Sequence, residues 1–136
     1  MENSRRQSRE LALQVLFQQE FSANLSDKEA LEVFRNNFEF SQDIWNYTEI
    51  LLKGVQNHQN EIDSLLQQAV SHWSLNRLAL VDKKLMRIAI FELKFYGTEV
   101  PPKVAINEAL EMAKKYSSRE SASFINGVLD QIHKAL

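Results

Sequence analysis

The stretch from Pro101 to Asp130, PPKVAINEALEMAKKYSSRESASFINGVLD, constrains this chain more than any other. A proline pair opens it and an apolar run at helical spacing follows. Tyr116-Ser117-Ser118 interrupts the pattern, and a second apolar run restarts it. Proline is tolerated in a first helical turn, so the spacing predicts a helix from about Pro102 to Tyr116. Ser117 and Glu120 form a capping box that starts a last helix, with Ile125, Val128, Leu129 and Ile132 on its apolar side. Asn107 and the pair Asn126-Gly127 fall inside these runs. Polar groups so placed ordinarily satisfy buried backbone or mark a tight packing point.

The remainder also reads as helix. Ser4 with Gln7 is a capping-box pattern for a first helix from Arg5 to about Phe21, with Leu13, Leu16 and Phe17 as its apolar stripe. Ser26 with Glu29 opens a second, through about Asn37, expected to bury Ala30, Val33 and Phe34. Ser41 or Asp43 caps a third, with Ile44, Tyr47, Leu51 and Val55 on one face. Gly54 inside that run lowers helix propensity by ~1 kcal/mol relative to alanine, which points to a close helix neighbour. Ile62, Leu65, Leu66 and Ala69 mark a fourth helix. Asp82 to Phe95 is a fifth, built on Leu85, Ile88, Ala89 and Leu93, and Gly97 with Pro101-Pro102 stops it. No segment alternates like a strand. The expectation is an all-α fold, a single compact bundle of about seven helices forming one domain over 1–136.

A length of 136 residues is enough for one domain with a real core. No cysteine is present, so there is no disulfide framework, thiol nucleophile or cysteine-based metal site. His58, His72 and His133 are scattered without metal-ligand spacing, and no glycine-rich phosphate loop or nucleophile motif occurs. The expectation is a non-enzyme with no cofactor and no metal. No apolar run approaches the ~20 residues that cross a bilayer, and the N-terminal residues lack a signal peptide's apolar region, so a soluble cytoplasmic protein is expected.

The formal net charge is −2, but it is unevenly spread. Residues 20–49 hold seven acids against Lys28 and Arg35, and residues 77–119 hold nine bases against five acids. Segregation of this kind steers a polyanion to one face. A solvated helical surface has the same composition. Arg5, Arg6 and Arg9 stand at the start of the first helix, where positive charge opposes the helix dipole at ~0.3–1 kcal/mol each when exposed. A phosphate backbone explains them through charge and a fork of donors; a soluble N-terminus, or salt bridges to the acidic second helix, explains them as well. Phe124 is offset by ~100° from Ile125. By itself it reads as a rim residue of the core, and its other reading is a ring that stacks on an unpaired base.

An ordered set of motifs covers nearly the whole chain. It begins Arg5-Arg6-Gln7-Ser8-Arg9-Glu10-Leu11-Ala12-Leu13-Gln14 and continues through Leu52-Lys53-Gly54-Val55, His58 and Ile62-Asp63. Trp73-Ser74-Leu75-Asn76-Arg77, Val81-Asp82, Leu85-Met86-Arg87-Ile88-Ala89 and Glu92-Leu93 follow. It closes with Val104-Ala105-Ile106-Asn107-Glu108-Ala109, Ala113-Lys114 and Phe124-Ile125-Asn126-Gly127-Val128-Leu129-Asp130. Each piece is weak and the ordered set is specific: the chain resembles the NusB family of bacterial transcription antitermination factors. Phe17 departs from the family's frequent tyrosine, and Ser8 from an alanine of the opening motif.

The resemblance implies an all-helical RNA-binding protein without catalysis. Such proteins bind the boxA element of ribosomal RNA leader transcripts as single-stranded RNA. They do so with NusE, also a small-subunit ribosomal protein, and join RNA polymerase in a complex that suppresses premature termination. Carried onto this chain, it implies RNA contacts at Arg5, Arg6, Arg9, Lys103 and Phe124, and NusE against the region around Asp82. It also implies structural roles for Arg87, Glu92, Asn107, Asn126 and Gly127. Both a monomer and a homodimer fit. Two other readings stand beside it: a helical protein–protein adaptor without an RNA site, and the RNA-binding domain of a ribosomal RNA methyltransferase, which would require a longer protein.

Overall fold

A computed structural model describes residues 2–22, 24–70 and 75–136, and the side chains among them except those of Glu2, Asn3 and Asn76. His72 and the Trp73-Ser74 part of the sequence pattern lie outside the described residues. Among the described residues seven α-helices follow one another: α1 (Glu2–Phe21), α2 (Asp27–Asn37), α3 (Gln42–Asn57), α4 (Gln59–Ala69), α5 (Leu80–Phe95), α6 (Pro102–Tyr116) and α7 (Arg119–Ala135). A single 3₁₀ turn, Leu75–Arg77, precedes α5. The described residues contain no strand.

Local signals set most of the boundaries. At α2 the capping box is complete: Ser26 Oγ accepts from Glu29 N at 3.1 Å, and Glu29 Oε1 accepts from Ser26 N at 3.2 Å. Pro102 occupies the first position of α6, as expected. Two expected caps are corrected. α1 already begins at Glu2, so Ser4 lies within the helix and caps nothing. α7 is capped by Ser118, whose hydroxyl accepts from Ser121 N at 3.0 Å, rather than by Ser117 with Glu120.

All seven helices contribute to one hydrophobic cluster. α5 lies at its centre, packed against α1, α3, α4, α6 and α7. Every residue from Lys84 to Leu93 is buried, so α5 is enclosed nearly all round rather than on one face. Four of its charged residues are buried, and Asp82 aside they are paired. Arg87 forks onto Asp63 at 2.8 and 3.0 Å, Lys84 meets Glu20 at 2.8 Å, and Glu92 receives Arg9. Gly54 of α3 explains itself here, since a Cβ at that position would overlap the Phe91 ring of α5. On α2 the expected core is corrected: Leu31 is buried with Ala30, while Val33 is 48% exposed.

Candidate nucleic-acid interface

The first turns of α1 bring three arginines to α6, each into a different environment. Arg5 is half-buried; its Nη1 donates to the Glu99 carbonyl at 3.1 Å, and its guanidinium lies 4.9 Å from the centre of the Tyr47 ring. Arg6 is 52% exposed and forks onto Glu108 of α6 at 2.9 and 2.7 Å. That hydrogen bond holds the Glu108 carboxyl below the usual carboxylate range.

Arg9 is a correction. It is 3% exposed, with Nε donating to both Glu92 oxygens at 3.0 Å and Nη1 3.5 Å from Glu108. The Tyr47 hydroxyl donates to Glu92 as well. Burial pushes the Glu92 carboxyl above its ordinary range, against the opposing pull of Arg9 and the Tyr47 hydrogen bond. Burial, then Glu92, pushes the Tyr47 phenol up, so it stays a neutral donor. Arg9 is therefore a buried counter-charge under the patch and does not face solvent. None of the three arginines pairs with an acid of α2.

α6 is the spine of this face. Lys103, Asn107 and Lys114 follow at i, i+4 and i+11, a ridge about 16.5 Å long. Three hollows run beside it. One, of about 360 Å³, lies between Arg5, Pro101, Val104, Asn107 and Glu108. The next, of about 390 Å³, is bounded by Arg6, Glu10, Glu111, Lys114 and Lys115. The third, of about 430 Å³, separates α6 from α7 between Leu110, Lys114, Arg119, Ser123 and Asn126. Lys103 and Arg119 are exposed and have no ion pair among the described residues. Lys115 is tied to Glu10 at 2.8 Å, and Lys114 stands 3.6 Å from Glu111.

Phe124 is 39% exposed at the edge of the buried stripe Ile125, Val128, Leu129 and Ile132. Asn107, Asn126 and Gly127 are corrections to a structural role. All three are exposed, neither amide has a hydrogen-bond partner among the described residues, and a Cβ at Gly127 would meet nothing within 4 Å. Sequence reading passed over Lys114, Lys115 and Arg119, although the spacing of Lys103 and Lys114 and the arginine just past the α6 stop were visible. It also passed over Tyr47, the platform beneath Arg5.

Asp82 does not stand open on the surface. It is 6% exposed, and its Oδ1 is buried without a hydrogen-bond partner among the described residues. Its neighbour Val81 lines a hollow of about 360 Å³ with Leu13, Gln14, Phe17, Phe34 and Tyr116. His58 is stacked on Phe95 at 3.8 Å, and His133 is exposed near the end of α7. Among the described residues no group of three or more His, Cys, Asp or Glu is placed to hold a metal ion. None of their helices is long and apolar enough to cross a membrane.

Residues 6–134 match the sequence model of the NusB family. The transcription antitermination protein NusB of Bdellovibrio bacteriovorus is 43% identical over 132 residues, covering 97% of this chain and 96% of that protein. Its counterpart in Desulfosudis oleivorans is 47% identical over 135 residues, covering 98% and 87%. A crystal structure of antitermination factors NusB and NusE in complex with double-stranded RNA superposes with a TM-score of 0.88 at 26% identity, covering 100% of both chains. T. maritima NusB superposes with a TM-score of 0.85 at 34% identity, covering 96% of this chain and 90% of that one.

Proposed function

The chain belongs to the NusB family, and from that premise we propose that it is a transcription antitermination factor that binds RNA together with NusE on the face built by α1, α6 and α7. It has no catalytic role. The observation that carries the RNA surface is the basic band itself: Arg5, Arg6, Lys103, Lys114, Lys115 and Arg119 line or flank three consecutive hollows beside α6. The exposed ring of Phe124 lies beside the last of them in sequence.

The RNA is boxA-type single-stranded RNA of ribosomal RNA leader transcripts. Arg5, Arg6 and Lys103 neutralise phosphates, Phe124 stacks on a base, and Arg9 anchors the arginine cluster from below. NusE docks beside Asp82, on the hollow of Val81, Phe17, Phe34 and Tyr116. It meets these surface residues rather than the enclosed carboxylate. The assembly joins RNA polymerase in the bacterial cytoplasm and suppresses premature termination.

Binding of a boxA-type RNA and a scrambled RNA, each with and without NusE, tests this over a salt series. Single-stranded RNA gives a slope of log K against log salt of about −0.7 per phosphate contact. Replacing Arg5, Arg6 and Lys103 by alanine together should flatten the slope by about 2. A Val81→Lys variant should keep the slope of the protein alone and lose the contribution of NusE. An unchanged slope in the triple variant overturns the RNA face; the reverse pattern exchanges the two surfaces.

A further inference from the structure

The cations of this face account for attachment to a phosphate backbone but not for choice among bases, because phosphate contacts carry no sequence information. Two side chains beside them carry the chemistry that is missing. Asn107 and Asn126 are exposed, lie in helix interiors, cap no helix end and have no hydrogen-bond partner among the described residues. Asparagine is a poor helix former compared with alanine, leucine or lysine, so local stability does not explain either.

Each amide stands in a hollow that also contains a cation. Asn107 shares one with Arg5, and Asn126 shares another with Lys114 and Arg119. We propose that Asn107 and Asn126 are the base-reading residues of this chain, one in the hollow between α1 and α6 and one in the hollow between α6 and α7. The inference rests on the reading of this face as the RNA surface and adds specificity to it.

A side-chain amide offers one acceptor oxygen and two N–H donors. The base edge that it matches with two bonds is adenine, through N6 and N7. In single-stranded RNA these edges are free to be splayed into such a hollow. The surroundings of Asn126 suit a nucleotide. Going round α7 from Asn126, Gly127 comes at about 100° and Phe124 at about 160°, all on the exposed side. Gly127 has neither a positive φ nor a neighbour that a Cβ would strike, so neither strain nor packing calls for a glycine there. It leaves bare backbone between the amide and the ring, where a sugar or base can lie close against α7.

The test uses the full chain with NusE present, a boxA-type RNA oligonucleotide and a composition-matched scrambled one. Asn107→Ala and Asn126→Ala should each reduce the ratio of the two affinities by about 5- to 150-fold. Affinity for the scrambled RNA and the salt slope should stay as in wild type, because no phosphate contact is lost. Replacing single adenines in the RNA by purine, which lacks the N6 amino group, should cost wild type but not the matching variant, and so assigns one base to each amide. Gly127→Gln should weaken the specific RNA while raising the thermal midpoint.

Full discrimination in both asparagine variants overturns the inference and leaves the RNA face standing, provided the variant lacking Arg5, Arg6 and Lys103 still loses its salt slope. A wild type that does not discriminate between the two RNAs also overturns it. A wild type without salt-dependent RNA binding overturns the underlying reading instead.

Discussion

Arg9→Met separates what a buried arginine does from what an exposed one does. The wild-type guanidinium is enclosed, donates to both oxygens of Glu92 at 3.0 Å, and leaves that carboxyl with only Tyr47 if it is removed. Removing one partner of a buried pair costs about 3–5 kcal/mol, because the other charge stays buried without compensation. A domain of this size has roughly 5–15 kcal/mol in total. The loss should lower the thermal midpoint on the order of 10–20 °C. Methionine keeps the apolar stem in place, so the measurement reads the charge rather than a cavity.

The pH dependence gives a second signature. Burial already raises the Glu92 carboxyl, and Arg9 is the largest opposing influence. A carboxyl whose folded pKa lies above its unfolded value holds its proton more tightly in the folded state. It therefore adds stability at low pH, and that stability is withdrawn as pH rises from the unfolded to the folded pKa. Without Arg9 the window extends further upward, with a slope of up to about 1.4 kcal/mol per pH unit for one proton. The variant's deficit should be smaller at pH 5 than at pH 8, by urea unfolding at both. Arg9→Met with Glu92→Gln should recover much of the loss, since glutamine still accepts from Tyr47 and no lone charge remains. A deficit under ~1 kcal/mol, a deficit independent of pH, or a double variant no better than the single one would refute the assignment of Arg9 as a buried counter-charge.

Three further outcomes follow from the same contacts. Gly54→Ala drives a methyl into the Phe91 ring, so overpacking of ~1–3 kcal/mol should exceed the ~1 kcal/mol of helix propensity gained, and chemical denaturation should show net destabilisation. Phe124→Ala should destabilise by well under the ~3–5 kcal/mol of a fully enclosed ring, because the ring is 39% exposed, yet cost ~1–3 kcal/mol of RNA binding in a fluorescence titration; unfolding by this substitution would assign the ring to the core. Glu108→Gln removes the carboxylate that occupies Arg6 and should strengthen RNA binding at low salt, with weaker binding counting against competition. Because the folded Glu108 carboxyl is depressed, its stabilising contribution is present above its unfolded pKa and should fade as pH falls through the folded one.

The helices were legible because apolar spacing, the Ser26–Glu29 box and the Pro101-Pro102 stop are local signals. The phase of α1 was not. The expected stripe of Leu13, Leu16 and Phe17 takes in Arg6 and Arg9 alike, each within about 35° of its centre. The buried arc also takes in Ser8, Leu11 and Val15, because α1 packs against α2, α3 and α5 at once. That shift places Arg9, about 60° from Arg6 round the helix, inside the protein. The same gap hid the partners of Arg9 and Arg87, since Glu92 and Asp63 lie 83 and 24 residues away in sequence. Asn107, Asn126 and Gly127 misled in the other direction. They stand within apolar runs in sequence, but a helix turns each of them away from the core.

The proposed RNA face is not an unopposed field of positive charge, and this bears on why an RNA-binding chain can carry a net charge of −2. Arg6 is held by Glu108 and Lys115 by Glu10, while Lys114 is faced by Glu111. RNA phosphates must displace these carboxylates, so the gain per contact is the difference between two ion pairs rather than a whole one. Lys103 and Arg119, which form no ion pair among the described residues, and Arg5, whose guanidinium meets only the Glu99 carbonyl and the Tyr47 ring at contact distance, face less competition. Three such groups give a shallow salt slope and modest affinity. Tight, selective binding then needs contributions that do not depend on charge, which is the part proposed for stacking at Phe124, for amide pairing at Asn107 and Asn126, and for a protein partner on the hollow beside Val81. If the amides read bases as proposed, the internal acids would act as a filter, since a polyanion with the wrong bases would meet competition at every paired cation and gain nothing at the amides to offset it.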